Sequence, residues 1–496
     1  MICMANDFKV AYIGAGSFRF SIGLFRNFCA AKELFPMEVC LVDIDPKSLK
    51  TMTTILEKMV KKAKADVKVT STTKQREALT NADFVYKSIS VGIQESEWFD
   101  IHLPQKYGIP QNTGDTCGPG GLFRSLRCVP PVYSIAKDMQ ELCPKAVLLN
   151  YTNPQATIVM GARRVNSDLQ YVGLCHELFG GMGTVKKALN QQGKRIPRWQ
   201  DLDILYGGVN HYAWLTSVKY KGEELYPVLR NNVDVFMKPS TMDHEFNWYL
   251  MKKHGYFPYP GSRHVAEFMP QYYNFFNHDA KPFSITRLRN VDQVHKERTG
   301  AYFVFHLWEH GWPVLGASKR GELAIEMTID WKNNNPTPYV VNLPNKGYIP
   351  NLPEDAIVEI PGHFKDGKMV GERMIDFPNE IADLVRVHAE QQFLTVDAAL
   401  GNSPENVIKA MKHDPMCQFI EDDDRIEDLT WNMLYYEQKW LPPEWKDWIP
   451  SIEELKRRKH WVDEKELKGK KQARINKYPV DARIKSKAFM YGEVSL

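Results

Sequence analysis

Residues 8–19 read FKVAYIGAGSFR, an apolar run that ends in two glycines one residue apart, then Ser17, Phe18 and Arg19. An apolar strand running into a glycine turn ahead of a helix brings backbone amides and a helix N-terminus to one point, which suits a pyrophosphate. Gly14 permits the tight turn and Gly16 the close approach of the phosphate, with Ser17 and Phe18 completing the loop. Arg19 stands where the usual third glycine would be. Downstream, MEVCLVDID (37–45) reads as a second strand ending at Asp43, where a carboxylate accepts ribose hydroxyls. That same charge would repel a 2′-phosphate, so NAD is favoured over NADP. The competing reading makes the glycines a structural turn and Asp43 a helix cap.

Outward from this unit, short apolar runs alternate with amphipathic segments of helix length, the pattern of a parallel sheet covered by helices. After a helix over 46–65 come VKVTS, ADFVYKSIS (82–90), AVLLNYTNP (146–154) and QYVGLCHE (170–177), which continue the strand series. Several end in polar residues, on the edge where an open parallel sheet binds ligands. Beyond about 200 the alternation weakens and aromatic segments appear. The expected organisation is a Rossmann-type domain over 7–200, a second α+β catalytic domain over 201–440 and a Trp- and Lys-rich extension over 441–496.

The 496 residues carry 64 basic and 60 acidic side chains, a balance of +4. That is too even for a general attraction to nucleic acid or anionic lipid. With 43% hydrophobic and 25% charged residues the composition is that of a folded globular chain. The first residues lack the pattern of a secretory signal, and no run is long enough to span a bilayer, so a cytoplasmic location is expected. The eight cysteines show no paired spacing, which favours reduced thiols.

Five further motifs fall in a distinctive order: GPGGLFRSLR (118–127), NYTNP (150–154), GLCHE (173–177), GVNHYAWL (208–215) and PNKGYIPNLPEDAIVEIP (344–361). Together they resemble glycoside hydrolase family 4, the NAD- and manganese-dependent glycosidases, in its α-galactosidase, α-glucosidase and α-glucuronidase branch. The resemblance implies a fold akin to lactate and malate dehydrogenases and a glycosidase acting by redox and elimination. In that scheme C3 of the sugar is oxidised by NAD, C2 is deprotonated, the C1–O bond breaks, water adds, and the hydride returns. It also implies Mn2+ or another divalent first-row metal held by Cys175 and His211, where the residues alone would read as a buried thiol and a core histidine.

By the same resemblance, His176 is the candidate acid for the leaving oxygen. Asn153 is expected between nicotinamide and sugar, although an Asn-Pro turn has its own geometric uses. GPGG lets the backbone approach a ligand, with Arg124 nearby, or forms a flexible loop. The C2 base falls in YPGSRHVAEF (259–268), where relatives place a tyrosine or an aspartate. Here Ser262 holds the aspartate position, leaving His264 and then Tyr259 as candidates. In VGIQESEWFD (91–100), Glu97 opposes a sugar phosphate and Trp98 offers a stacking face, so a non-phosphorylated α-hexoside or α-uronide is expected. A homodimer or homotetramer is implied by resemblance alone. The rivals are an NAD-dependent dehydrogenase of small hydroxy acids or sugars, and a non-catalytic NAD-sensing or nucleic-acid-binding protein suggested by the basic stretch 465–489.

Overall fold

The computed structural model describes residues 8–109, 111–237, 244–272, 291–420 and 422–467. The opening motif forms β1 (Phe8–Ile13), followed by α1 (Ser21–Phe28), β2 (Met37–Val42), α2 (Pro46–Ala63), β3 (Val67–Thr72), α3 (Gln75–Leu79) and β4 (Phe84–Lys87). Then come α4 (Ile93–Lys106), α5 (Gly118–Leu142), β5 (Val147–Asn150), α6 (Gln155–Arg163), β6 (Gln170–Leu174) and α7 (Glu177–Gln191). These six strands pair in parallel in the order β3-β2-β1-β4-β5-β6, a doubly wound arrangement whose carboxyl ends share one edge.

The period-two side-chain alternation of a strand divides this sheet between two cores. Ala11, Ile13, Cys40, Val42, Val85 and Leu148 face the layer built by α5 and α6. Val10, Tyr12, Val39, Leu41, Tyr86 and Leu149 face α1 and α2. Both faces are covered, so the strands read as continuous apolar runs.

The second half continues the same sheet with antiparallel strands. β7 (Asp203–Val209) and β8 (Tyr212–Tyr220) form a hairpin edged by β9 (Glu223–Glu224) and β10 (Phe257–Tyr259), while β11 (Tyr339–Pro344) and β12 (Ile357–Lys365), edged by β13 (Lys368–Gly371), join it to β6. The weakening of strand and helix alternation after 200 is thus the change from crossover connections to hairpins.

GPGG does not form a flexible loop. It opens the 25-residue α5, with Pro119 in the first turn. The glycines are required by packing, since a Cβ at Gly120 would lie 2.8 Å from the Asp100 carbonyl oxygen and one at Gly121 would lie 2.3 Å from the Thr116 carbonyl carbon. Of the extension from 441 onward, residues up to 467 are described, with Trp445 and Leu455 buried. Most of the basic stretch 465–489 lies outside the described residues.

Candidate active site

The dinucleotide edge follows from the glycine turn. Gly14 has φ +89°, and a Cβ there would sit 2.6 Å from the Ser88 carbonyl oxygen, so no other residue fits. At Gly16 the missing side chain admits the Asp43 carboxylate, whose Oδ2 accepts from the Gly16 amide at 2.8 Å while Oδ1 accepts from the Asp45 amide at 3.0 Å. Asp43 is half-buried just past the end of β2, which fixes its carboxylate beside the glycine turn. Ser17 closes the turn through its amide, 3.0 Å from the Gly14 carbonyl. Phe18 packs on the core beneath the Arg19 guanidinium. Helix α1 begins at Ser21, two residues beyond the motif, and Tyr302 covers the loop by donating to the Gly16 carbonyl at 2.9 Å. A Cβ-free turn of this kind, with a fixed acid beside it, fits a dinucleotide.

The second centre lies at the tip of the β7–β8 hairpin, where His211 is buried. Thr116 links it to a polar loop: its hydroxyl donates to Asp115 Oδ1 at 2.7 Å and is 2.9 Å from His211 Nδ1. With its own proton committed to Asp115, Thr116 must accept from the ring, which leaves the lone pair on Nε2. Burial pushes His211 down to about 4, with His264 adding to the fall, so the ring is neutral and able to bind a metal. Asp115 also draws in Asn153, whose amide nitrogen is 3.5 Å from Oδ2, and Arg124 holds the Asn153 carbonyl at 3.1 Å. Among the described residues, Asp115, His211 and His264 each present a ligand atom within 4.8 Å of the other two.

Cys175, His176 and Glu177 end β6 and start α7. Cys175 is buried and outside that group of three, although the side chain of Asn210, the residue next to His211, lies close enough to favour its thiolate. Burial pushes its thiol well up, and the charges of Glu359 and Glu177 push the same way. A cation beside this sulfur would reverse that balance and favour the thiolate. His176 is exposed at the start of α7, within the electrostatic reach of His211.

Tyr259, Ser262 and Trp98 each have packing or hydrogen-bond partners of their own. Tyr259 is fully buried against Tyr206 and beside Glu359, within electrostatic reach of Cys175, and burial drives its phenol well up. Ser262 is occupied in joining two segments, donating to Asn247 Oδ1 at 2.8 Å and accepting from the Phe246 amide at 3.2 Å. The Trp98 ring stacks on His102, 4.5 Å away in the next turn of α4, and serves helix packing. His264, in contrast, faces His211 with ring centroids 4.8 Å apart.

Sequence reasoning missed Asp115 and Glu267. The Glu267 carboxylate accepts from the amides of Thr113 and Gly114 at 2.8 and 3.0 Å, tying the loop that carries Asp115 to the helix Ser262–Phe268 that carries His264. Burial pushes this carboxyl up to about 8 from 4.5, so the folded chain keeps a proton that the unfolded chain releases. The linked stability is complete below the unfolded value and is lost as pH rises toward 8. Glu267→Gln keeps the acceptor without the charge. Its melting temperature should therefore fall less than that of the wild type between about pH 5 and about pH 8.5, and parallel profiles would contradict this role.

The parallel order, the glycine turn with its acid, and the histidine cluster on the same strand edge define a Rossmann-type enzyme with a metal-competent centre. The comparisons narrow this class. Residues 9–191 match the family 4 glycosyl hydrolases and residues 206–417 match the C-terminal domain of that family. An alpha-galactosidase of Bacillus subtilis is 32% identical over 415 residues, covering 82% of this chain and 93% of that protein. An alpha-galacturonidase of Lachnoclostridium phytofermentans is 28% identical over 460 residues, covering 89% and 98%. A solved Bacillus subtilis structure described as a glucosidase superposes with a TM-score of 0.79 at 25% identity, covering 86% of this chain and 100% of its own. The chain belongs to glycosyl hydrolase family 4, and it is a glycoside hydrolase.

Proposed function

We propose that the chain cleaves a non-phosphorylated α-hexoside or α-hexuronide in the cytoplasm, as a homo-oligomer, with NAD on the Gly14–Asp43 edge and Mn2+ or a similar divalent metal at His211. The observation that carries this is the convergence of His211, Asp115 and His264 beside Asn153, on the edge that also bears the glycine turn. The alpha-galactosidase and alpha-galacturonidase relatives support the substrate class. So does Arg124, whose guanidinium faces the Glu97 carboxylate at 3.9 Å rather than standing as a lone phosphate partner. Among the described residues no helix is long and apolar enough to cross a membrane.

When bound, the dinucleotide supplies a hydride acceptor for the sugar C3 and the metal a Lewis acid for its C2 and C3 oxygens. His211 Nε2 and Cys175 Sγ hold the metal, and the Asp115–Thr116 pair fixes the ring that presents Nε2. Asn153, steadied by Arg124, orients a sugar hydroxyl. His264 takes the C2 proton, and His176 gives a proton to the oxygen leaving C1. The donor set Asp115–His211–His264 is the second reading, favoured by the mutual distances. Variants separate the two: Cys175→Ser loses the metal under the first and keeps it under the second, and His264→Ala does the reverse.

Turnover of aryl α- and β-glycosides in D2O with NAD, Mn2+ and a reductant tests the function. Deuterium at C2 of the released sugar, with cofactor needed only in catalytic amount, is expected. Release without label at C2 would overturn the mechanism. NADH rising in proportion to substrate would favour the dehydrogenase.

A further inference from the structure

Helix Val291–Glu309 packs along α2 and runs into the sequence HLWEH at 306–310. Positions i, i+3 and i+4 share one face of a helix. His306, Glu309 and His310 accordingly project together, with a ligand atom of each within 4.8 Å of the other two. The two imidazole rings are 4.1 Å apart, and both histidines are exposed, so an ion can reach them.

Two contacts hold the group in place. His310 Nδ1 is 2.8 Å from the His306 carbonyl oxygen, and the Glu309 carboxylate accepts from Thr51 Oγ1 of α2 at 2.8 Å. A ring N–H bonded to a backbone carbonyl, and an acid fixed by a neighbouring hydroxyl, are the outer contacts that orient metal ligands. Position adds to this, because the cluster sits at the carboxyl end of its helix, where the backbone dipole favours positive charge. Lys58 already exploits that end through the carbonyls of Trp308 at 2.8 Å and Glu309 at 2.6 Å.

We propose that His306, Glu309 and His310 form a second divalent-metal site, separate from the His211 centre and open to water on its remaining positions. Two imidazoles and one carboxylate suit zinc, nickel or copper, whereas manganese lies at the weak end of the affinity order for such donors. The site is thus distinguished from the sugar-binding centre by the cation it selects as well as by its place. It requires neither the dinucleotide nor a sugar, so it stands or falls independently of the function proposed above.

The test is calorimetric titration of the full chain with Zn2+ near neutral pH, in a buffer that does not chelate, for the wild type, the double variant His306→Ala/His310→Ala, and His211→Ala. The double variant should bind one equivalent fewer than the wild type while its Mn2+-supported turnover is unchanged. His211→Ala should keep the equivalent that the double variant lacks. Repeating the titration with Mn2+ should show no difference between wild type and double variant. Equal zinc stoichiometry in wild type and double variant overturns the proposal, as does a lost equivalent that His211→Ala also removes. Both variants are checked by their melting curves, and Glu309→Gln, which leaves both rings in place, should weaken the same binding event without abolishing it.

Discussion

Replacing His211 by alanine is expected to lower glycoside turnover by more than about 100-fold, since even outer-shell contacts of a metal site are worth about 10–100-fold. The dinucleotide should still bind, because the Gly14–Asp43 turn is built by β1 and β2 and, among the described residues, shares no hydrogen bond with the hairpin carrying His211. Added Mn2+ should not restore the rate. The loss follows from one ring carrying two relationships: its Nδ1 closes the chain through Thr116 to Asp115, and the ring offers a ligand atom within 4.8 Å of those of Asp115 and His264. Thr116→Val, which breaks the chain while leaving the imidazole, should weaken metal binding less than His211→Ala does. Metal content after dialysis and NAD affinity, measured on the same preparations, check both statements. A His211→Ala enzyme with near-normal turnover would remove this centre from the chemistry.

The largest expected effect on stability lies at Arg127. Its guanidinium donates to Asp100 at 3.0 and 2.6 Å and also bonds Glu437, with all three side chains buried. Burial pushes both acids up, and the shared arginine is what opposes it. The triad ties α4 and α5 to helix Asp423–Glu437, which follows the last residue matched to the family. Arg127→Ala leaves two buried carboxyls without a cation, and the expected cost is roughly 3–5 kcal/mol. The variant should lose less at about pH 5 than at about pH 8, because acids already pushed up take protons more readily as pH falls. Thermal melts at both pH values decide it, and an unshifted melt would show that the triad contributes little. Active-site substitutions such as His264→Ala should leave the melt almost unchanged, which separates the two kinds of loss.

The dinucleotide unit was legible in the sequence because its signals are local: an apolar run, two glycines and an acid closing the next strand, all within residues 8–45. Asn153, Cys175 and His176 follow apolar strands that were legible in the same way, but the roles expected of Cys175 and His176 came from the family resemblance and not from the residues themselves. Asp115 was not legible, because TGDTC gives no local hint of purpose, and Thr116 meets His211 across 95 residues of chain only once the hairpin folds over the loop. The long helices α4 and α5 were hidden by Pro104, Pro119, Pro130 and Pro131, which break the periodic pattern although the helices continue through them. Arg127 sat in a motif that suggested ligand binding, yet its burial against two acids makes it a structural member. Tyr259 packs against Tyr206, a neighbour that its own stretch of sequence does not show.

The central claim is that a metal and a dinucleotide meet at His211 and Asn153. A crystal of the full chain grown with NAD and Mn2+, measured at the manganese absorption edge, addresses it directly. The account predicts an anomalous peak bonded to the free ring nitrogen of His211, on the side of the nicotinamide nearest Asn153. A peak elsewhere, with His211 unliganded and the nicotinamide remote from it, would contradict the account.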